Sequence, residues 1–147
     1  MKHLKSVIGC FLIVVVLGSC VHAQVRMVPL YIGSVEFTVE IADTIEKQMV
    51  GLMYRKTIPD DFGMLFVNAE EDYHSMWMKN TLVHLDLIFL NKSRQVVDMY
   101  INVPPCEKDP CESYPSRVRA MYVLELRGNR AKELNLKIGD TIFFIVD

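Results

Sequence analysis

The chain has 147 residues, 51% of them hydrophobic, with 16 Lys and Arg against 18 Asp and Glu for a net charge of −2. That length suits one domain with enough chain to bury a sizeable core. A near-neutral balance, with both signs scattered and no basic stripe, argues against nucleic acid as a partner.

The first element is a leader. Lys2 and Lys5 precede an apolar run from Val7 to Leu17. The run is too short for a bilayer, which needs about 20 apolar residues, but it suits a secretory signal. Two ends stay open. The small residues of "VHA" allow cleavage after Ala23, giving a signal over residues 1–23, whereas "LGSC" is similar to a bacterial lipobox, giving a signal over 1–19 and a lipid on Cys20. Either way residues 24–147 are expected to form a single β-rich domain that is exported, as a periplasmic protein or an outer-membrane lipoprotein in a bacterial host. Membrane contact is then expected only through a lipid at Cys20. Without residues 1–23 the net charge is about −4.

In "YIGSVEFTVEIA", Val35, Phe37, Val39 and Ile41 alternate with polar residues, as in a half-buried strand. "DTIEKQMVGLMY" reads as a helix capped by Asp43, with Glu46 three residues on and apolar spacing at Ile45, Met49 and Leu52. Gly51 ends it near Leu52. "MLFV" is a short strand, and "NAEEDY" reads as a turn. "HSMWM" and "LDLIFL" are strand-like and joined through "KNTLVH". The turn "NKS" leads into "QVVDMYIN", so these form a hairpin. "RAMYVLEL" is a further strand, a short helix surrounds Arg130 to Leu134, and "TIFFIV" closes the chain as a buried strand. The expected fold is mainly β (α+β), an antiparallel β-sandwich or barrel-like sheet with two short helices.

Between these elements, "PPCEKDPCESYPS" places Cys106 and Cys111 among prolines. In an oxidising compartment the pair is expected to form a disulfide. A zinc site would need two further ligands and a different spacing. A redox-active pair lacks an obvious helix N-terminus to lower a thiol pKa.

Hydrolase, phosphate-loop, zincin and dinucleotide motifs are absent from the sequence. Three candidate sites remain. His84 and Asp86 point the same way on a strand; the structural alternative has Asp86 accepting backbone N–H groups of the "KNT" turn, since a buried carboxylate needs such partners. His74, Met76 and Met78 line one face of "HSMWM" and offer soft ligands for Cu(I), against the simpler reading that the methionines are core. Glu70, Glu71 and Asp72 lack the spacing of a Ca²⁺ loop and read as a solvated turn. No cofactor is expected.

Taken in order, "VEIADTIEKQMVGLMYR", "GMLFV", "WMKNT", "LDLIFL", "NVPPCEKDPCESYPS", "YVLEL" and "LKIGD" resemble the domain-of-unknown-function family 192 (DUF192) from about Val35 to Val146. The resemblance implies a mainly β, sandwich-like fold and an exported prokaryotic protein, and supplies no function. It marks Gly51, Arg55, Gly63, Trp77, Lys79, Asn80, Thr81, Asp86, Cys106, Cys111, Tyr114 and Glu125. His84 departs from the family's usual proline before "LD", which weakens the His84–Asp86 pair as a general device. The resulting expectation is one hydrogen-bonded cluster of Asn80, Thr81 and Asp86, beside a cleft rimmed by Trp77, Arg55 and the disulfide loop. Lys79, Tyr114 and Glu125 are further ligand-binding candidates. Such a cleft suits a non-enzymatic envelope domain that binds a small ligand or partner. The rivals are an envelope-polymer hydrolase using Asp86 as acid or base, with Glu125 as second carboxylate, and a structural or accessory lipoprotein.

Overall fold

A computed structural model describes residues 25–146, so the leader, Cys20 and the cleavage position at Ala23 lie outside the described residues. Among the described residues nine strands and two short helices follow one another as β1 (Met27–Ile32), β2 (Val35–Ala42), α1 (Ile45–Val50), β3 (Phe62–Asp72), β4 (Ser75–Trp77), β5 (Leu85–Leu90), β6 (Val96–Val103), β7 (Ser113–Pro115), β8 (Ala120–Arg127), α2 (Arg130–Glu133) and β9 (Ile142–Phe144). Seven strands make one curled, half-barrel sheet in the order β6-β5-β8-β3-β2-β1-β9, and β4 pairs with β7 in a separate ribbon. The fold is mainly β with two short helices, as expected. One pair departs from the antiparallel pattern: β2 and β3 run parallel, because α1 and its following loop return the chain to the end from which β2 started. Among the described residues no helix is long and apolar enough to cross a membrane.

Several local expectations are corrected. The stretch "YIGSVEF" is two strands, since Gly33 (φ 59) turns the chain between β1 and β2. The "NAEEDY" segment is largely strand: β3 runs on to Asp72, because Val67 and Asp72 still find partners on β8 across an irregular register. Helix α1 is capped by Thr44, whose side chain accepts from the Lys47 N–H at 3.3 Å. Asp43 instead pairs with Lys47 at 2.7 Å. None of the residues of α1 is buried, and Ile45 and Met49 face solvent. What holds the helix is Gln48, whose side-chain amide donates to the carbonyls of Ala42, at the end of β2, and Val67, midway along β3.

The sheet separates two apolar clusters, and strand alternation decides which residue joins which. Across the central strands Leu65, Leu124 and Ile88 stand in one row, with Phe37, Val39, Ile41 and Leu126 on the same face. Ala131 and Leu136, in and after α2, cover that face. Phe66, Val123 and Phe89 stand in the adjacent row on the opposite face, with Met64, Leu85 and Leu87. Leu52, Ile58, Met78, Cys106, Met76 and Tyr114 close over this second face. Phe89 and Leu87 are fully buried, and each such side chain contributes roughly 1.5–3 kcal/mol of transfer free energy.

Gly63 sits where strand spacing leaves no room for a side chain. A Cβ there would lie 2.7 Å from both the Glu125 carbonyl oxygen and Leu126 Cδ2. Gly63→Ala is therefore expected to lower stability by about 1–3 kcal/mol, the usual cost of overpacking a core. Urea unfolding followed by circular dichroism checks this as a lower midpoint at unchanged slope.

Candidate functional site

Asp86 and the "KNT" turn occupy opposite sides of the sheet. Asp86 pairs across with Leu126, on the face covered by α2. It is 0% exposed, and its oxygens accept backbone N–H groups from Asn102 at 2.7 Å, Asn129 at 2.8 Å and Ala131 at 2.7 Å. The carboxylate thus ties β5 to β6 and anchors the first turn of α2. The expected Asn80–Thr81–Asp86 cluster is corrected: the three backbone donors come from β6 and α2, because alternation along β5 turns Asp86 away from Leu85 and Leu87. His84 contributes its backbone carbonyl, which accepts from Gly128 N–H at 2.8 Å.

Asn80 serves the turn. It sits at φ 55, a left-handed conformation that asparagine tolerates better than most residues. Its carbonyl accepts from the Tyr54 N–H at 2.9 Å, and the Thr81 N–H donates to Met78 O at 3.1 Å. These bonds stitch the β4–β5 turn to the loop after α1. Lys79 lies 5.8 Å from the Trp77 ring centroid and pairs with Asp109 at 3.4 Å, on the disulfide loop. The Cys106–Cys111 disulfide is present. Tyr114 donates to Glu112 at 3.1 Å and stacks edge-on against Tyr100. It lines a separate recess around that loop, in which Trp77 takes no part.

Three carboxylates on the second face are at least partly buried, and they differ in their partners. Glu40 meets Arg55 at 2.5 Å. Asp98 accepts from the Arg117 backbone N–H at 2.8 Å and from its guanidinium. Burial pushes the Asp98 carboxyl up, but the bonds from Arg117 outweigh it and hold the group below its usual range. Glu125, one row from Phe66 and beside Met64, is 4% exposed and its Oε2 has no hydrogen-bond partner. Burial raises its pKa from 4.5 to about 8, and the positive charge of Arg55, engaged by Glu40, only partly counters that.

Glu125 lies at the base of a narrow cleft of about 20 Å³, between Gly51 and Leu52 at the end of α1 and Met76, Trp77 and Thr81 opposite. A Cβ on Gly51 (φ 50) would stand 3.2 Å from the Phe66 ring and 3.7 Å from Glu125 Oε2, so the glycine lets bare backbone pack close to the buried carboxyl at the edge of the cleft. A space of that size holds one water-sized group. The cleft shares Gln48, Phe66, Met76 and Trp77 with a wider groove of about 210 Å³, which Asn68, His74 and Ser75 also line. His74 and Met76 thus share the wider groove, while Met78 is buried in the core of the second face. His74 Nε2 is a second buried nitrogen or oxygen without a partner.

Among the expected site residues, Trp77, Thr81 and Glu125 come together here, Arg55 acts on Glu125 through its charge, and Asp86 lies across the sheet. Gln48 and Asn68 went unmarked in the sequence. Each looks like an ordinary polar residue, and only the packing of α1 over β3 turns them toward Trp77.

These features define a class: a small, mainly β domain built on one curled mixed sheet, with a recess beside the helix that connects its parallel strands. The chain belongs to the DUF192 family, described as "Uncharacterized ACR, COG1430", whose pattern it matches over residues 29–144. A UPF0127 protein of Thermococcus sibiricus is 32% identical over 111 residues, 74% of this chain and 67% of that one. UPF0127 protein PF1050 of Pyrococcus furiosus is 26% identical over 113 residues, 74% and 87% of the two chains. Two solved structures share the fold at 31% identity. One is a proposed transcription regulator of Sinorhizobium meliloti, with a TM-score of 0.75 over 84% of this chain and 97% of that one. The other, a protein of unknown function from Novosphingobium aromaticivorans, has a TM-score of 0.71 over 82% and 85%.

Two outcomes follow. Between about pH 4.5 and 8 the folded chain holds a proton on Glu125 that the unfolded chain has released. That contribution to stability is complete below pH 4.5 and is lost as the pH rises toward 8, by up to about 1.4 kcal/mol per pH unit. Urea titrations across this window are expected to show a fall that Glu125→Gln flattens. Asp86→Asn sets an amide donor against a backbone N–H in a dry site and is expected to cost on the order of 3 kcal/mol, read by the same titration at neutral pH.

Proposed function

We propose that this is an exported envelope domain that binds a small ligand in the groove between α1 and β4, with Glu125 at its base and Trp77 as its wall. The unpaired Oε2 of Glu125 carries the reading. The two other buried or half-buried carboxylates on this face, Glu40 and Asp98, are paired with arginines, whereas Glu125 has no partner at the base of the cleft beside Gly51. A buried polar atom without a partner is costly unless something supplies one. An aromatic wall with a few convergent polar groups is how proteins hold small molecules. The leader-like N-terminus supports export. Asp86 as a hydrolytic acid or base fits less well, since its oxygens are occupied by three backbone donors and closed to solvent.

A thermal-shift screen of small polar and aromatic fragments tests the reading. Ligands of the groove are expected to raise the melting temperature of the wild type, and that rise is expected to vanish in Trp77→Ala and Glu125→Gln. Asp86→Asn is expected to start from a lower melting temperature and keep the rise. Binding that survives both groove variants, or a screen without any shift, would leave the accessory-lipoprotein reading instead. Mass spectrometry of the protein recovered from an expressing host reads its N-terminus, and an unprocessed Met1 would sink the export component.

A further inference from the structure

We infer that the groove takes a neutral pyranose sugar, which lies against Trp77 and hydrogen-bonds to His74, to the amides of Gln48 and Asn68, and to Glu125. This names a ligand class for the groove and rests on the binding role proposed above. The first argument is charge. The wider groove is lined by Gln48, Asn68, His74, Ser75, Met76 and Trp77 over a floor of Phe66 and Val123, with no acid, lysine or arginine among them. A carboxylate, phosphate or ammonium ligand would lose its hydration there and meet no fixed opposite charge in the lining, since Lys79, the cation near Trp77, is paired with Asp109. A purely apolar ligand fares no better, because it would leave His74 Nε2 and Glu125 Oε2 without partners.

The second argument is shape. A pyranose has two C–H faces and a rim of hydroxyls that both donate and accept. Trp77 is 49% exposed, with Lys79 near its ring, and its indole offers the flat surface a C–H face packs on. The amide nitrogens of Gln48 and Asn68 are held by backbone carbonyls of Ala42, Val67 and Met121. Their oxygens therefore serve as acceptors for hydroxyl protons. The narrow cleft at Glu125 admits one water-sized group, which matches a single hydroxyl reaching under Gly51. The Glu125 carboxyl, protonated at neutral pH, donates to that oxygen and needs no counter-charge.

The test is a titration followed by NMR. The chain has a single tryptophan, so one indole N–H resonance reports on the groove. The probes are N-acetylglucosamine and methyl β-glucopyranoside, with glucuronate and glucosamine as charged comparisons and indole and phenol as non-sugar fragments. Saturable shifts of the Trp77 indole with the neutral sugars, weaker by about tenfold or more with the charged ones, are expected. Calorimetry should show about a tenfold loss of sugar affinity in Trp77→Ala and a comparable loss in His74→Ala, with melting temperatures near the wild type. If the fragments shift the indole while the neutral sugars do not, the sugar assignment falls and the binding groove stands. If no probe shifts it, both fall. Sugar shifts that persist unchanged in His74→Ala, or equal affinity for the charged sugars, would also overturn the assignment.

Discussion

A strand turns successive side chains to opposite faces, and along the paired strands β5 and β8 that alternation sends the buried acids Asp86 and Glu125 to opposite sides of the sheet. Asp86 pairs with Leu126 and faces α2, whereas Glu125 pairs with Leu87 and faces the β4–β7 ribbon. The two carboxylates sit on adjacent strands, yet a sheet separates them. One becomes a structural acceptor for three backbone donors and the other the base of a recess. A register slip of one residue would exchange these roles and move each apolar row to the opposite face, against the wrong covering segment.

The same face that holds Glu125 shows how the fold treats inward acids when it has no use for them. Glu40 and Asp98 each meet an arginine, and each arginine also lies over an aromatic ring, Arg55 over Phe62 and Arg117 over Tyr100. Glu125 differs because its neighbours in the row are Met64 and Leu87 and its nearest cation is engaged elsewhere. Desolvation then favours the neutral acid. A neutral carboxyl whose Oε2 is buried without a partner, beneath a glycine and beside a tryptophan, is poorly explained by stability alone, which is what joins the geometry to a binding role.

The order of the strands and both helices were legible in large part, because β2, β5, β6 and β8 carry strong apolar patterns and α2 is followed by a plain turn. The errors share a cause. β1 and the outer half of β3 have mixed composition and exist as strands because neighbours supply hydrogen bonds to them. The cap of α1 could have been read at Asp43 or Thr44, and the difference is one residue of backbone conformation. Asn80 and Thr81 stand out in the sequence as polar residues between apolar runs, but a left-handed backbone position explains the asparagine before any ligand does.

The amino-acid sequence by itself determined the family, the mainly β architecture and the pairing of Cys106 with Cys111, and it set Asp86 and Glu125 apart as acids in apolar runs. Those properties follow from local pattern, from spacing and from the rarity of an acid in an apolar run. Only the tertiary structure decided that Asp86 and Glu125 face opposite ways and that Gln48, Asn68 and His74 gather around Trp77. The parallel return from β2 to β3 sets α1 above the sheet, and the β4–β7 ribbon folds over the same face. Such placements depend on contacts between segments far apart in the chain, and a one-dimensional period carries no information about them.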